Sequence, residues 1–397
     1  MDPIRNPYAP GAGQRPPELA GRDAQLEAFR FVIERVAKGR PERSIVLVGL
    51  RGVGKTVLLN AMRSQAVRAG WGTGKLEARP DQTIRRPLGA ALHMAIRELA
   101  HPDATGVLST LKAFVERAAP ANAKAYDRWN SGITAPTVIG RADSGDIEID
   151  LVELLSDVAG LAADKGKGVA VFIDEMQDLG ADDVSALCAA CHELGQQGLP
   201  LIVVGAGLPH LPAVLSASKS YSERLFAYAR IDRLDRAAAD LALASPAADE
   251  GAAFTDDALA EMYRVTGGYP YFVQAYGKVV WDLAPRSPIT AVDVAVAAPE
   301  AEHELAVGFF GSRLERATAA EREYLQAMAE ADPDDAGTVP SARVAEVLGR
   351  KPQSLSPARD ALIKKGLVYA SERGRIAFTV PHFGRFLRGR VDMADTA

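Results

Sequence analysis

Gly49-Leu50-Arg51-Gly52-Val53-Gly54-Lys55-Thr56 follows without interruption on the apolar run Ser44-Ile45-Val46-Leu47-Val48. This junction decides the fold. A buried strand that ends in a Gly-rich turn lets successive backbone N–H groups curl around phosphates, and the next helix adds the positive end of its dipole. Glycine is needed wherever a side chain would block that approach, and Gly52 widens the loop beyond its minimum. The complete G-x-x-x-x-G-K-[ST] pattern then gives Lys55 the β- and γ-phosphates to neutralise and gives the Thr56 hydroxyl a Mg²⁺ ion to ligate. Val57-Leu58-Leu59 continues as an apolar helix face. A nucleoside triphosphate is the expected ligand, and an α/β fold with a parallel sheet is the expected frame.

The chain around this loop has 397 residues, of which 48% are hydrophobic and 24% charged, enough for two or three packed domains. Met1-Asp2-Pro3-Ile4-Arg5 lacks the apolar core of a signal peptide, and Leu199–Leu215 is broken by Pro200, Gly205, Gly207, Pro209 and Pro212. A cytoplasmic location and no membrane partner are therefore expected. Cys188 and Cys191, with His192, invite a metal or redox reading. That reading fails on ligand count, since a structural zinc needs four. Val184, Leu187, Cys188, Cys191 and Leu194 fall on one helical stripe, which makes both thiols small core residues.

Asn6–Pro17 is rich in Pro and Gly and reads as an extended arm, followed by an amphipathic helix carrying Leu26, Phe29, Ile33 and Val36. Gly168-Val169-Ala170-Val171-Phe172-Ile173 is a second buried strand that delivers Asp174 and Glu175 to the sheet's C-terminal edge. Leu201-Ile202-Val203-Val204 is another. The intervening residues 82–160 read as mainly helical and carry no interpretable motif, with Trp129 as a candidate partner surface. Four units are expected: an arm and adenine-side helix over 1–43, a P-loop core over 44–234, a helical lid over 235–299, and a small terminal domain over 300–397.

Adjacent Asp174 and Glu175 serve different purposes in such a core. The first organises the Mg²⁺ shell, and the second polarises the water that attacks the γ-phosphate. No N-K-x-D element for guanine is present, so adenine is the expected base. These residues resemble the AAA+ ATPases of the origin-recognition type and, equally, the signal-transducing STAND ATPases, over roughly residues 6–300. Gly49–Thr56 resembles Walker A, and Val169–Glu175, continuing as Met176-Gln177-Asp178, resembles Walker B. Leu19-Ala20-Gly21-Arg22-Asp23 is similar to the box that lies near the adenine, and Gly268-Tyr269-Pro270 to the G-x-P element of a STAND lid.

The resemblance implies ATP and Mg²⁺ as cofactors. It implies nucleotide contacts from Gly49, Gly52, Val53, Gly54, Lys55, Thr56 and Val57, with Tyr8, Gly21, Arg22 and Pro270 completing the site. Thr56 and Asp174 would hold the metal, and Glu175, Lys55 and Arg224 would carry hydrolysis. Arg224, within Ser222-Glu223-Arg224-Leu225-Phe226, would reach the γ-phosphate of a neighbouring copy. Two departures stand out. Gly205-Ala206-Gly207 offers no polar sensor after its strand, and the lid offers no sensor arginine, so hydrolysis is expected to be slow.

Charge is distributed unevenly. Residues 341–390 hold eleven Lys and Arg against three Asp and Glu, a net +8, so the remainder carries −13 of the total −5. Ser341–Gly349 and Ser354–Lys365 read as two helices with Pro357 in the first turn of the second. Leu367-Val368-Tyr369 and Ile376-Ala377-Phe378 form a hairpin tipped by Arg373-Gly374-Arg375. This arrangement resembles a winged helix. Gln353, Ser354, Ser356 and Arg359 would face a groove of double-stranded DNA, Lys364 and Lys365 the phosphates, and Arg373 and Arg375 the neighbouring minor groove. The expected function is an ATPase that binds DNA under nucleotide control. The alternative is a STAND-type switch whose winged helix contacts protein; a protein partner or a second copy of the chain is left open.

Overall fold

The computed structural model describes residues 1–116, 133, 135–136, 138–333 and 337–394, with side chains as far as residue 389. Trp129 lies outside the described residues. Five strands form one parallel sheet: β1 (Ser44–Val48), β2 (Gly72–Glu77), β3 (Val169–Asp174), β4 (Leu201–Gly207) and β5 (Phe226–Arg230), in the order β2-β3-β4-β1-β5. Every residue of β3 and β4 is buried, as expected of strands covered on both faces. The period-2 alternation sorts β3 cleanly. Val169, Val171 and Ile173 join a cluster with the helices Arg85–Leu99, Ile147–Ala163 and Ala181–Gln197, whereas Ala170 and Phe172 join the cluster under Asp23–Ala37 and Lys55–Arg68.

β5 goes unnoticed in the sequence reading because Phe226-Ala-Tyr-Ala-Arg230 is short, and beyond buried Phe226 its residues are partly exposed at the sheet edge. It nevertheless pairs with β1 in register from Ser44↔Phe226 to Val48↔Arg230.

Four lid helices follow: Arg236–Asp249, Asp256–Thr266, Pro270–Leu283 and Ala291–Glu304. Asp235 and Thr255 cap the first two through their side chains, and a capping box at Thr290 and Asp293 starts the fourth. Between the second and third, Gly267 and Gly268 take positive φ, and Pro270 opens the next helix at its first position. A side chain on Gly268 would stand 2.4 Å from the Leu234 carbonyl oxygen. The backbone therefore packs the lid directly on the chain leaving the sheet.

The domain boundary expected at 299/300 falls inside a helix. Ala291–Glu304 runs on as a π-helical segment, Leu305–Gly311, and then Ser312–Leu314, with Pro299 accommodated within. A single apolar cluster extends from Tyr8 and the lid into the C-terminal module as far as Leu387. Lid and module thus share one apolar core. The module holds the helices Ala319–Ala331, Ser341–Val347, Pro352–Lys364 and Phe383–Ala394 around an antiparallel sheet of β6 (Val339–Pro340), β7 (Val368–Glu372) and β8 (Arg375–Phe378), ordered β6-β8-β7.

Candidate functional site

The loop after β1 forms the floor of a cavity of about 440 Å³. Gly52 and Gly54 adopt φ of 83° and 89°, a region that glycine enters at little cost, and Gly54 leads into the helix Lys55–Arg68. Lys55 is buried, and its Nζ donates to the carbonyls of Gly49 and Leu50, each at 2.8 Å. Burial pushes its pKa down to about 8, against the pull of Glu175 and Asp174 and with the repulsion of Arg51. A buried ammonium whose hydrogen-bond partners are neutral carbonyls is suited to receive an anion.

Asp174, at the end of β3, and Glu175 close one side of the cavity. Glu175 sits at φ 48°, an uncommon left-handed conformation for a residue with a side chain. Its Oε2 accepts from Gln177 Nε2 at 2.7 Å, and its Oε1 lies 3.8 Å from an Arg51 guanidinium nitrogen. Gln177 Oε1 in turn accepts from Leu208 N at 3.1 Å, just past β4. The glycines found there in place of a polar sensor have a steric reason. A Cβ on Gly207 would stand 2.6 Å from Gln177 Oε1, and one on Gly205 would stand 2.4 Å from the Met176 sulfur. Met176 and Gln177 fold back onto β4, so a glutamine supplied from the β3 side occupies the strand end.

The remaining walls come from three distant parts of the chain. The N-terminal arm, from Ala9 to Ala20, crosses the cavity, and a Cβ on Gly13 would touch the Thr56 methyl at 3.0 Å. The lid contributes Pro270 and Tyr271, and Tyr271 N donates to the Gly52 carbonyl at 3.2 Å. The C-terminal module contributes Phe309 and Arg313. Phe309 stacks on Tyr271 with centroids 4.5 Å apart, and the Arg313 guanidinium lies 4.0 Å over the Phe309 ring. Burial lowers the Arg313 pKa to about 10, and the nearby Arg51 charge adds to the effect. The buried Nε atoms of Arg51 and Arg313 have no hydrogen-bond partner. A desolvated guanidinium at Arg313 beside the Lys55 ammonium suits the cavity to a polyphosphate.

Most expected site residues meet here: Gly52, Val53, Gly54, Lys55, Thr56, Val57, Asp174, Glu175, Arg22 and Pro270 all line the cavity. Tyr8, Gly21 and Gly49 do not line it. Tyr8 is buried in the lid, where its hydroxyl donates to the Leu243 carbonyl at 2.6 Å. Gly21 packs toward Ala238 and Leu234, and Gly49 abuts the Ile231 carbonyl. Arg22 acts as a fastener, since its guanidinium donates to the carbonyls of Val53 (3.1 Å) and Asp232 (2.7 Å). Sequence reading missed Arg51, Gln177, Tyr271, Phe309 and Arg313. Only Gln177, two residues beyond Glu175, carried a local signal.

Arg224 stands elsewhere. It precedes β5 at the opposite edge of the sheet and lines a second cavity of about 550 Å³ with Arg40, Arg43, Cys191 and His192. Burial pushes the thiols of Cys188 and Cys191 up, to about 11 and about 12, so neither is a ready nucleophile. Among the described residues no group of three His, Cys, Asp or Glu side chains is arranged to hold a metal, and no helix is long and apolar enough to cross a membrane.

Residues 18–204 match the family model described as the AAA ATPase domain. The core is an ATPase domain. Residues 307–387 match a second model, a domain of unknown function, DUF8462. No curated protein matches the chain. Among solved structures, the chain is similar to the Walker-type ATPase paby2304 of Pyrococcus abyssi, with 14% identity and a TM-score of 0.54 over 94% of this chain and 97% of that one. It also aligns with the RuvB Holliday junction branch migration motor of Thermotoga maritima (16% identity, TM-score 0.46, 92% and 96% covered). The Orc1 protein of Aeropyrum pernix, in complex with DNA, aligns at 13% identity and a TM-score of 0.44, with 96% of each chain covered. The first of these supports the fold.

The depressed pKa of Lys55 gives a pH signature. Phosphate binding requires the protonated ammonium, so the free protein must take up a proton on binding once the pH exceeds about 8. Triphosphate affinity is expected to fall about tenfold between pH 7 and pH 9, whereas Lys55→Arg, always charged, gives a flat profile. Calorimetric titration across that range checks this, and identical profiles for the two proteins would contradict it.

Proposed function

We propose that this protein is an Mg²⁺-dependent, ATP-hydrolysing switch whose C-terminal winged-helix module binds double-stranded DNA under nucleotide control. The observation that carries the reading is the direct contact between module and phosphate loop: Arg51 N donates to the Thr379 carbonyl at 2.9 Å, and Phe309 packs toward Gly52 beside the lid's Tyr271. A ligand that fills the loop acts on a surface that the module also touches. Its differential affinity for the two arrangements therefore sets where the module rests.

In this reading the loop amides and Lys55 bind the phosphates, Thr56 and Asp174 hold the metal, and Glu175 accepts the proton of the attacking water. When bound, Mg²⁺ supplies charge neutralisation on the phosphates. Gln177 orients Glu175 through its 2.7 Å hydrogen bond. Adenine is the proposed base and the cytoplasm the proposed location. Arg224, remote from its own cavity, is proposed to serve the site of a neighbouring copy. Arg224→Ala is then expected to slow hydrolysis at least tenfold at assembly-forming concentrations, and an unaltered rate removes it from the mechanism.

For DNA, the module offers exposed Gln353, Lys364 and Arg373. The other expected contacts are engaged within the protein. Arg375 donates to the Thr338 carbonyl and hydroxyl oxygens at 2.9 and 2.8 Å, Arg359 pairs with Asp360, and the Ser354 hydroxyl donates to the Lys351 carbonyl; Ser356 is half-buried. This internal pairing favours a second reading, a STAND-type switch whose module contacts a protein. A salt series on a generic duplex separates the two. The DNA reading predicts that Lys364→Glu/Arg373→Glu weakens binding and reduces the log–log salt slope by about two. Absence of binding by the native protein at low salt would establish the second reading.

A further inference from the structure

Arg51 occupies one of the four unconstrained positions of the phosphate-loop pattern, so the phosphate cradle does not require its side chain. Its surroundings are nevertheless built. The C-terminal module presents Gly366, at φ 63°, close against the guanidinium; a Cβ there would stand 2.7 Å from the terminal nitrogen and 3.4 Å from Cζ of Arg51. Thr379, fully buried, accepts the Arg51 N–H on its carbonyl and donates its hydroxyl to the carbonyls of Gly366 (2.7 Å) and Leu367 (3.1 Å). Gly366 and Thr379 therefore form one rigid seat that holds both the backbone and the head of Arg51.

From this seat the guanidinium faces Oε1 of Glu175, while Gln177 holds Oε2. A carboxylate with a cation beside one oxygen and a hydrogen bond on the other, on a backbone at positive φ, is held in one orientation and is not free to turn toward an attacking water. We infer that Arg51 is a positioning residue through which the docked C-terminal module restrains Glu175, so that hydrolysis accelerates when the module leaves its seat. The inference rests on the reading of Glu175 as the group that activates water. It adds that the restraint is set by the module and transmitted by one side chain.

The test is single-turnover hydrolysis of Mg-ATP by the full chain, with ATP dissociation constants measured in parallel. Arg51→Ala is expected to raise the hydrolysis rate about tenfold, with ATP affinity changed less than about threefold. Arg51→Lys, which keeps a cation near Glu175, is expected to stay near the native rate. Gly366→Ala, whose methyl displaces the guanidinium, is expected to accelerate the native chain but to add nothing to Arg51→Ala, the non-additivity of one shared path. Thr379→Val, nearly isosteric, provides the same comparison should Gly366→Ala fold poorly. An unchanged or slower Arg51→Ala rate would overturn the inference, as would seat variants that accelerate Arg51→Ala as much as the native protein. Equal rates for native protein and Glu175→Gln would instead overturn the underlying reading of Glu175.

Discussion

The structure depends on a constraint at one loop: the backbone from Gly49 to Thr56 must present its amides to a polyanion while packed on all sides. The chain meets it by surrounding the loop with four separate pieces. The arm passes over Thr56, Arg22 fastens Val53 from below, Tyr271 bonds to Gly52, and Thr379 accepts from Arg51. Each contact uses backbone or a glycine gap. The loop therefore stays open to phosphate yet senses every neighbour, because packed interiors transmit small displacements instead of absorbing them.

The electrostatics follow from the same crowding. Lys55, Arg51 and Arg313 converge on one cavity, with Asp174 and Glu175 at its edge. Like charges brought together in a partly desolvated space are unfavourable until an anion joins them. Part of that strain is relieved internally, by the carbonyls over Lys55, by the Phe309 ring under Arg313 and by Glu175 beside Arg51. A triphosphate would replace the compensations at Lys55 and Arg313 together, a physical basis for coupling ligand to conformation.

The local parts of this site were legible in the sequence, and the distant parts were not. The phosphate loop declares itself because its chemistry needs particular residues at fixed spacing, and β3 declares itself because a continuous apolar run ends in two carboxylates. Arg313 gave no signal. It reaches the cavity through a π-helical segment, whose register change a 3.6-residue pattern does not encode. Gly205 and Gly207 read as an absence of chemistry, although they make room for Met176 and Gln177. A boundary was expected at 299/300, but tertiary packing carries the helix through Pro299. The arm read as an extended tail because its role comes from what it crosses.

The central claim is that the nucleotide loop and the C-terminal module form one coupled element, and coupling of this kind is reciprocal. Hydrogen exchange on the full chain, with and without a non-hydrolysable Mg-ATP analogue, tests it most directly. The account predicts that the analogue changes protection both at residues 49–56 and at residues 366–379. Protection that rises at the loop while the module's exchange stays the same would contradict it.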